Sequence, residues 1–283
     1  MKLSGITFAT LALLPQIATL KCAEIAREGT MVVAFRFDDG FVICADKRSH
    51  LDGPNEPAGN YRDDDVKITI FNGSGGFVTA GVPILQRSDG VRVFDADRTI
   101  SDFLNVHGFN ELDKLPLSLE ASFRRYVLSQ SPNDLPPTQW NDEEPIFVRA
   151  MIFFQQGKEI KLYDLSLTYV NASPPQIEAR IENRSQDRLR AYGALVLREI
   201  LGGKDRRFSD LRSDPIFTST MGTRWVWQVN EEKAVSFAKK VIQVTSERIH
   251  LLNPMLIPRF GPTSDCAVAR TGKDVEWRPN STP

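Results

Sequence analysis

The apolar and polar positions of this chain fall into strand-like blocks first and helix-like blocks later. Residues 30–37 (TMVVAFRF) and 40–46 (GFVICAD) are β-rich runs joined through Asp38-Asp39-Gly40. An Asp-Gly step between apolar runs is a hairpin signal. Both runs are apolar almost throughout, which predicts strands covered on both faces. Residues 51–65, rich in Gly, Pro, Asn and Asp, predict a loop. Strands follow at 66–71 and 76–80 around Asn72-Gly73-Ser74-Gly75. A 3.6-residue period then places Leu119, Phe123, Tyr126 and Val127 on one face of a helix over 117–130. A loop at 131–145 precedes strands at 146–155 and 159–166. Helices are predicted over 189–201, stopped by Gly202-Gly203, and over 231–248, capped by Asn230. Ala234, Phe237, Ala238, Val241 and Ile242 form the buried stripe of the second. A strand at 265–270 and a hairpin through Gly272 to residues 275–277 close the chain. This order is mixed α+β with antiparallel hairpins.

The first residues differ from the rest. Met1-Lys2 is followed by an uncharged, largely apolar stretch from Leu3 to Leu20, broken by Pro15-Gln16. That is the pattern of a signal peptide rather than an anchor. It predicts an N-terminal leader and export to a secreted or periplasmic site. A leader that is only a propeptide would leave the protein cytoplasmic. No later segment is long and apolar enough to span a bilayer, so no stable membrane span is expected.

Composition narrows the function. With 35 Lys+Arg against 36 Asp+Glu the net charge is −1, and no run of one sign stands out. Neither a nucleic-acid nor a membrane surface is therefore the expected partner. Three cysteines (Cys22, Cys44, Cys266) at wide spacing exclude a disulfide scaffold and a zinc knuckle. Cys44 lies inside an apolar strand, as a core residue does, and pairing with Cys266 in an oxidising compartment stays open. The three His, scattered at 50, 107 and 250, do not suggest a metal site, and His107 and His250 read as surface or satisfied polar residues. Trp225 and Trp227 read as strand packing. Four Asn-x-Ser/Thr sequons begin at Asn72, Asn171, Asn183 and Asn280.

Chemistry gathers at the open end of the first hairpin. Reversal at residues 38–40 sets Thr30 opposite residues 47–49, with Asp46 and Arg48 sharing a face beside it. Lys67 begins the next strand pair. A hydroxyl, a carboxylate and two cations thus converge on one sheet end.

These residues resemble the start of a proteasome β-type subunit, a family of N-terminal-nucleophile hydrolases. Gly29-Thr30, the apolar strand, the Gly-containing turn, and Ala45-Asp46-Lys47-Arg48 with Asp46 sixteen residues after Thr30 carry the likeness. Val66-Lys67-Ile68 matches the family's lysine, and Ala80-Gly81, fourteen residues beyond Lys67, its oxyanion-hole glycine. The likeness covers residues 29–81 and returns at 231–235 and 261–277.

The resemblance implies a four-layer αββα sandwich of two antiparallel sheets flanked by helices. It also implies hydrolysis of peptide or amide bonds through an N-terminal Thr30, freed by removal of the leader. The Gly29-Thr30 match sets that leader's bounds at residues 1–29 and leaves residues 30–283 as one domain. Asp46, Lys67 and Gly81 would complete the catalytic set, with Arg48 supporting Asp46. No cofactor and no metal is implied, and a homo-oligomer formed through helix faces fits the family. Two alternatives stand beside this. One is a catalytically inactive shell or interaction protein; the other is a small-molecule amidase or acyltransferase on the same fold.

The chain also departs from the family. Arg184-Ser185-Gln186-Asp187-Arg188 replaces its Gly-Ser-Gly-Ser turn, leaving Ser185 as the candidate supporting serine before Ala191-Tyr192-Gly193-Ala194-Leu195. The Asp and Ser expected after the late helix are missing, and Met31 replaces a small hydroxyl residue.

Overall fold

The computed structural model describes residues 24–27, 30–50, 61–87, 90–130, 135, 145–193, 196–201, 203–221, 229–252 and 261–279. Nine strands come first: β1 (Glu24–Arg27), β2 (Val32–Phe37), β3 (Gly40–Asp46), β4 (Ser49–His50), β5 (Tyr61–Arg62), β6 (Ile68–Phe71), β7 (Gly75–Gly81), β8 (Ile84–Gln86) and β9 (Arg92–Asp95). Helices α1 (Ala96–His107) and α2 (Leu115–Ser129) follow, then β10 (Ile146–Gln156), β11 (Glu159–Val170), β12 (Gln176–Asn183) and β13 (Leu189–Tyr192). The rest is α3 (Val196–Leu201), α4 (Ser209–Arg212), α5 (Pro215–Met221), α6 (Glu231–Leu252), β14 (Ser264–Arg270) and β15 (Glu276–Arg278).

Two five-stranded antiparallel sheets result, ordered β13-β2-β3-β14-β15 and β12-β11-β10-β7-β6. Strand alternation assigns each side chain to a layer. Val32, Ala34, Ile43, Ala45, Val78, Ala80, Met151 and Leu162 fill the space between the sheets. Met31, Val33, Phe35, Val42 and Cys44 point the other way, onto α6 and its neighbours. Phe77, Val148, Ala150, Ile152 and Leu165 face α1 and α2. Three apolar layers between four layers of structure make an αββα sandwich, as expected. It also explains why β2 and β3 are apolar at nearly every position: each face of their sheet meets another layer.

The helices are held by the stripes read from the sequence. In α6, Ala234, Phe237, Ala238, Val241 and Ile242 are buried, Phe237 lies 4.7 Å from the Phe35 ring, and Asn230 accepts from the Lys233 N–H. In α2, Phe123 packs 4.8 Å from Phe147 and 5.2 Å from Tyr169. Removing such a ring costs about 3–5 kcal/mol.

Several expectations are corrected. Residues 189–201 are not one helix: Leu189–Tyr192 is an edge strand on β2, and helix begins at Val196. Leu189 and Ala191 pack toward α6, and Tyr192 faces between the sheets, which is strand alternation. Helix α1, capped by Asp95, and strand β12, whose Ile177, Ala179 and Ile181 face α2, were not foreseen. The first hairpin turns on Asp38-Asp39, with Gly40 already in β3 opposite Phe37. Glycine is needed there because a Cβ would fall 2.0 Å from the Ala269 carbonyl oxygen. Among the described residues no helix is long and apolar enough to cross a membrane. The apolar leader, Cys22, Trp225, Trp227 and most of both predicted loops lie outside the described residues.

Candidate functional site

Hairpin register builds the site. Pairing of Val32 with Ala45 brings the start of β2 against the end of β3. There the Met31 N–H donates to Asp46 Oδ1 at 2.7 Å, and the Asp46 N–H donates to the Met31 carbonyl at 3.1 Å. Val32 and Ala34 point between the sheets, so the two-residue period aims Thr30 the same way. Thr30 is buried, and its Oγ1 has no hydrogen-bond partner.

Lys67 precedes β6 in the other sheet and crosses to this end. Its Nζ lies 3.1 Å from Asp46 Oδ1, with both side chains fully buried, and it also donates to the Arg48 carbonyl. Asp46 Oδ2 accepts from the backbone N–H groups of Arg48 (3.2 Å) and Gly261 (3.1 Å). Burial pushes the Asp46 carboxyl above the usual carboxylate range, while Lys67 and the Met31 and Gly261 N–H groups pull it back. Four donors around one carboxylate meet the condition for burying it.

Gly81 ends β7 at the same end of the second sheet: Ile68, next to Lys67, pairs with Val78, three residues before Gly81. Its φ is +86°, and a Cβ would lie 2.5 Å from the Phe147 carbonyl oxygen. Only glycine suits that position.

Strand β1 reaches this end too. It pairs with β8, Ile25 opposite Leu85 and Arg27 opposite Ile84, just beyond Gly81. Strand β1 thus ends at Arg27, three residues before Thr30 in the sequence.

The predicted residues divide clearly. Thr30, Asp46 and Lys67 converge, and Gly81 stands at the same end. Arg48 takes part through its main chain, while its guanidinium is held by both oxygens of Asp63 at 2.7 and 2.8 Å. Ser185 is not at the site. Its Oγ accepts from the Leu162 N–H at 3.0 Å and its carbonyl accepts from Arg36, toward the hairpin end of the sheets. Cys44 and Cys266, adjacent on β3 and β14, form a buried disulfide. His107 pairs with Glu111 at 2.9 Å on the surface. Among the described residues no group of three or more His, Cys, Asp and Glu is placed to hold a metal ion.

One cluster escaped sequence reasoning. Asp164 on β11 meets the Arg190 guanidinium (Nε at 3.1 Å) and the Tyr192 hydroxyl (2.5 Å), both from β13. Burial first, and Asp164 second, hold the Tyr192 phenol well above its ordinary pKa. The Arg149 guanidinium lies 5.2 Å from the centre of the Tyr192 ring. No motif spacing announces this set, because strand pairing alone assembles it.

No protein-family model matches the chain, and no curated protein matches it. Among solved structures it is similar to the Anbu (Gly-1) mutant from Hyphomicrobium sp. strain MC1. The two share 12% identity over 89% of each chain, with a TM-score of 0.45. At that level nothing is carried from that protein to the residues of this one.

Proposed function

We propose that this chain hydrolyses peptide or amide bonds through Thr30, exposed as an N-terminal residue when the leader is removed, in the manner of the proteasome β-type subunits it resembles. The observation that carries the reading is the buried, partnerless Thr30 hydroxyl beside the fully buried Lys67–Asp46 pair. Tyr169, Thr245 and Thr263 also carry buried hydroxyls without a partner, so it is the position of Thr30, next to the Met31 N–H that donates to Asp46, that singles it out.

Cleavage after Gly29 turns the Thr30 amide nitrogen into an amine, with a reference pKa of about 7.7–8.0 that suits a general base. That amine takes the Oγ1 proton as Oγ1 attacks the substrate carbonyl. Lys67 supplies positive charge favouring the free amine and the alkoxide, and Asp46 holds Lys67. The Gly81 N–H donates to the oxyanion. The Thr30 ammonium passes that proton to the leaving nitrogen, which departs as an amine and leaves an acyl ester on Oγ1. The free Thr30 amine then takes a proton from water as it attacks the ester, and returns it to Oγ1 as the acid is released. Export is part of the proposal, supported by the Cys44–Cys266 disulfide, since such bonds persist in oxidising compartments.

The remote position of Ser185 favours the second reading, a catalytically inactive shell, because no supporting serine is identified beside Thr30. Intact mass and N-terminal sequencing of the purified natural protein, followed by assay on fluorogenic peptides and simple amides, separate the two. A mature chain beginning at Thr30 with activity is expected. Active material beginning elsewhere would refute the nucleophile, and correctly processed but inert protein would favour the shell.

A further inference from the structure

Arg149 is a cation between the sheets that the proposed chemistry does not use. Arg149 pairs with Ala80, one residue before Gly81, and Ala80 points into the inter-sheet space. Side chains directly opposite in a ladder share a face, so Arg149 points there too. Its stacking on Tyr192 agrees: Tyr192 pairs with Val32, two residues along the same face from Thr30. Arg149 therefore sits at the Thr30 end, between the nucleophile's strand and the Gly81 strand.

Its guanidinium is incompletely satisfied. Arg149 is half-buried, its Nε is buried without a hydrogen-bond partner, and among the described residues no carboxylate pairs with it. The nearest acid of the cluster, Asp164, is taken by Arg190 and Tyr192. A planar five-donor group held on an aromatic face, with a donor left over, is shaped to receive a carboxylate through paired hydrogen bonds. The Nε is itself buried, so the terminal amino groups of the half-buried guanidinium are the donors an incoming carboxylate reaches.

We propose that Arg149 is a specificity-determining residue that binds a substrate carboxylate close to the scissile bond. This rests on the Thr30 reading for what is cleaved, but the binding itself does not depend on turnover. The carboxylate comes either from an acidic side chain of a peptide or from a free terminal carboxylate.

Binding by fluorescence anisotropy, using the protein beginning at residue 30 and carrying Thr30→Ala, tests it without catalysis. One series of labelled peptides carries Glu or Gln at each position in turn; a second has a free or amidated C-terminus. One carboxylate-bearing series should bind about tenfold or more tighter than its neutral partner, the size expected of a charge-assisted pair. The series that shows the gap identifies the source. Arg149→Gln should close the gap and Arg149→Lys should keep part of it, with melting curves recorded to show that each variant is folded. The comparison of acid with amide in the Arg149 protein stands even if a variant fails to fold. Equal affinity in both series, no binding in either, or a gap that survives in folded Arg149→Gln would overturn the assignment. Absence of hydrolysis by the processed protein with Thr30 intact would count against the Thr30 reading and leave this binding result intact.

Discussion

Two buried carboxylates tie the sheets of this sandwich together, and they are completed in opposite ways. Asp164 reaches from the second sheet to Arg190 and Tyr192 on the first. Asp46 reaches from the first sheet to Lys67 of the second. Around Asp164 the donors are side chains that also pack, with Tyr192 a neutral phenol donating its proton. Around Asp46 three of the four donors are backbone N–H groups, so the carboxylate is fixed by the chain path itself. The hydroxyl next to the first cluster is spent on Asp164, whereas the hydroxyl next to the second, Thr30 Oγ1, has no partner. The Tyr192 hydroxyl is satisfied, while the Thr30 hydroxyl is left in reserve, as the proposed nucleophile requires.

The largest expected effect breaks the comparison at that reserved hydroxyl. Thr30→Ala, made in a chain already beginning at residue 30, should lower hydrolysis by at least about a thousandfold, as removal of a nucleophile does. Its melting temperature should stay close to that of the parent, because one hydroxyl at a strand end leaves little cavity. Equal rates in the two proteins would show that the activity arises elsewhere.

Lys67→Met comes next and should damage both properties. It strands a fully buried Asp46 carboxylate, and breaking one side of a buried pair costs about 3–5 kcal/mol. Urea denaturation should show the loss, and the surviving folded fraction should be inactive. Unchanged stability would mean that the backbone donors alone hold Asp46.

Asp164→Asn sharpens the contrast from the other side. It should cost about 1–3 kcal/mol by weakening the bonds to Arg190 and Tyr192. Turnover of neutral substrates should stay near the parent rate in folded protein. A collapse of that rate without a matching fall in stability would make this cluster part of the chemistry rather than a latch.

What the sequence discloses of these regions differs for a physical reason. Thr30 and Asp46 were legible because one short hairpin brings them together, so spacing along the chain predicts spacing in the fold; Lys67 comes from the other sheet and was legible through the family resemblance. The helix stripe from Ala234 to Ile242 was legible for the same local reason. Residues 189–192 were misread because four residues of mixed Leu, Arg, Ala and Tyr fit either period, and only pairing with β2 decides for a strand. Strand β12 hides its apolar side among charged residues exposed at a sheet edge. Ser185 and the Asp164–Tyr192 contact depend on which strands lie face to face, and nothing in their spacing encodes that.

The smallest expected effect concerns Arg48, which the motif places beside Asp46. Its N–H donates to Asp46 and its carbonyl accepts from Lys67, so the residue's contribution to the site is made by backbone atoms that any residue possesses. Its guanidinium instead grips Asp63, whose side chain is substantially solvent-exposed. Pairs with one exposed partner contribute roughly 0–1 kcal/mol. Arg48→Ala should therefore lose no more than about 1 kcal/mol, a loss that rising salt should shrink. The rate should fall only severalfold, because the main-chain bonds persist while the segment carrying Asp63 is less firmly tied. Activity and denaturation measured at low and high salt check this directly. A loss as severe as that of Lys67→Met would mean that Asp63, through Arg48, fixes the path of the chain between Asp46 and Lys67, and the site would then extend beyond the two sheets.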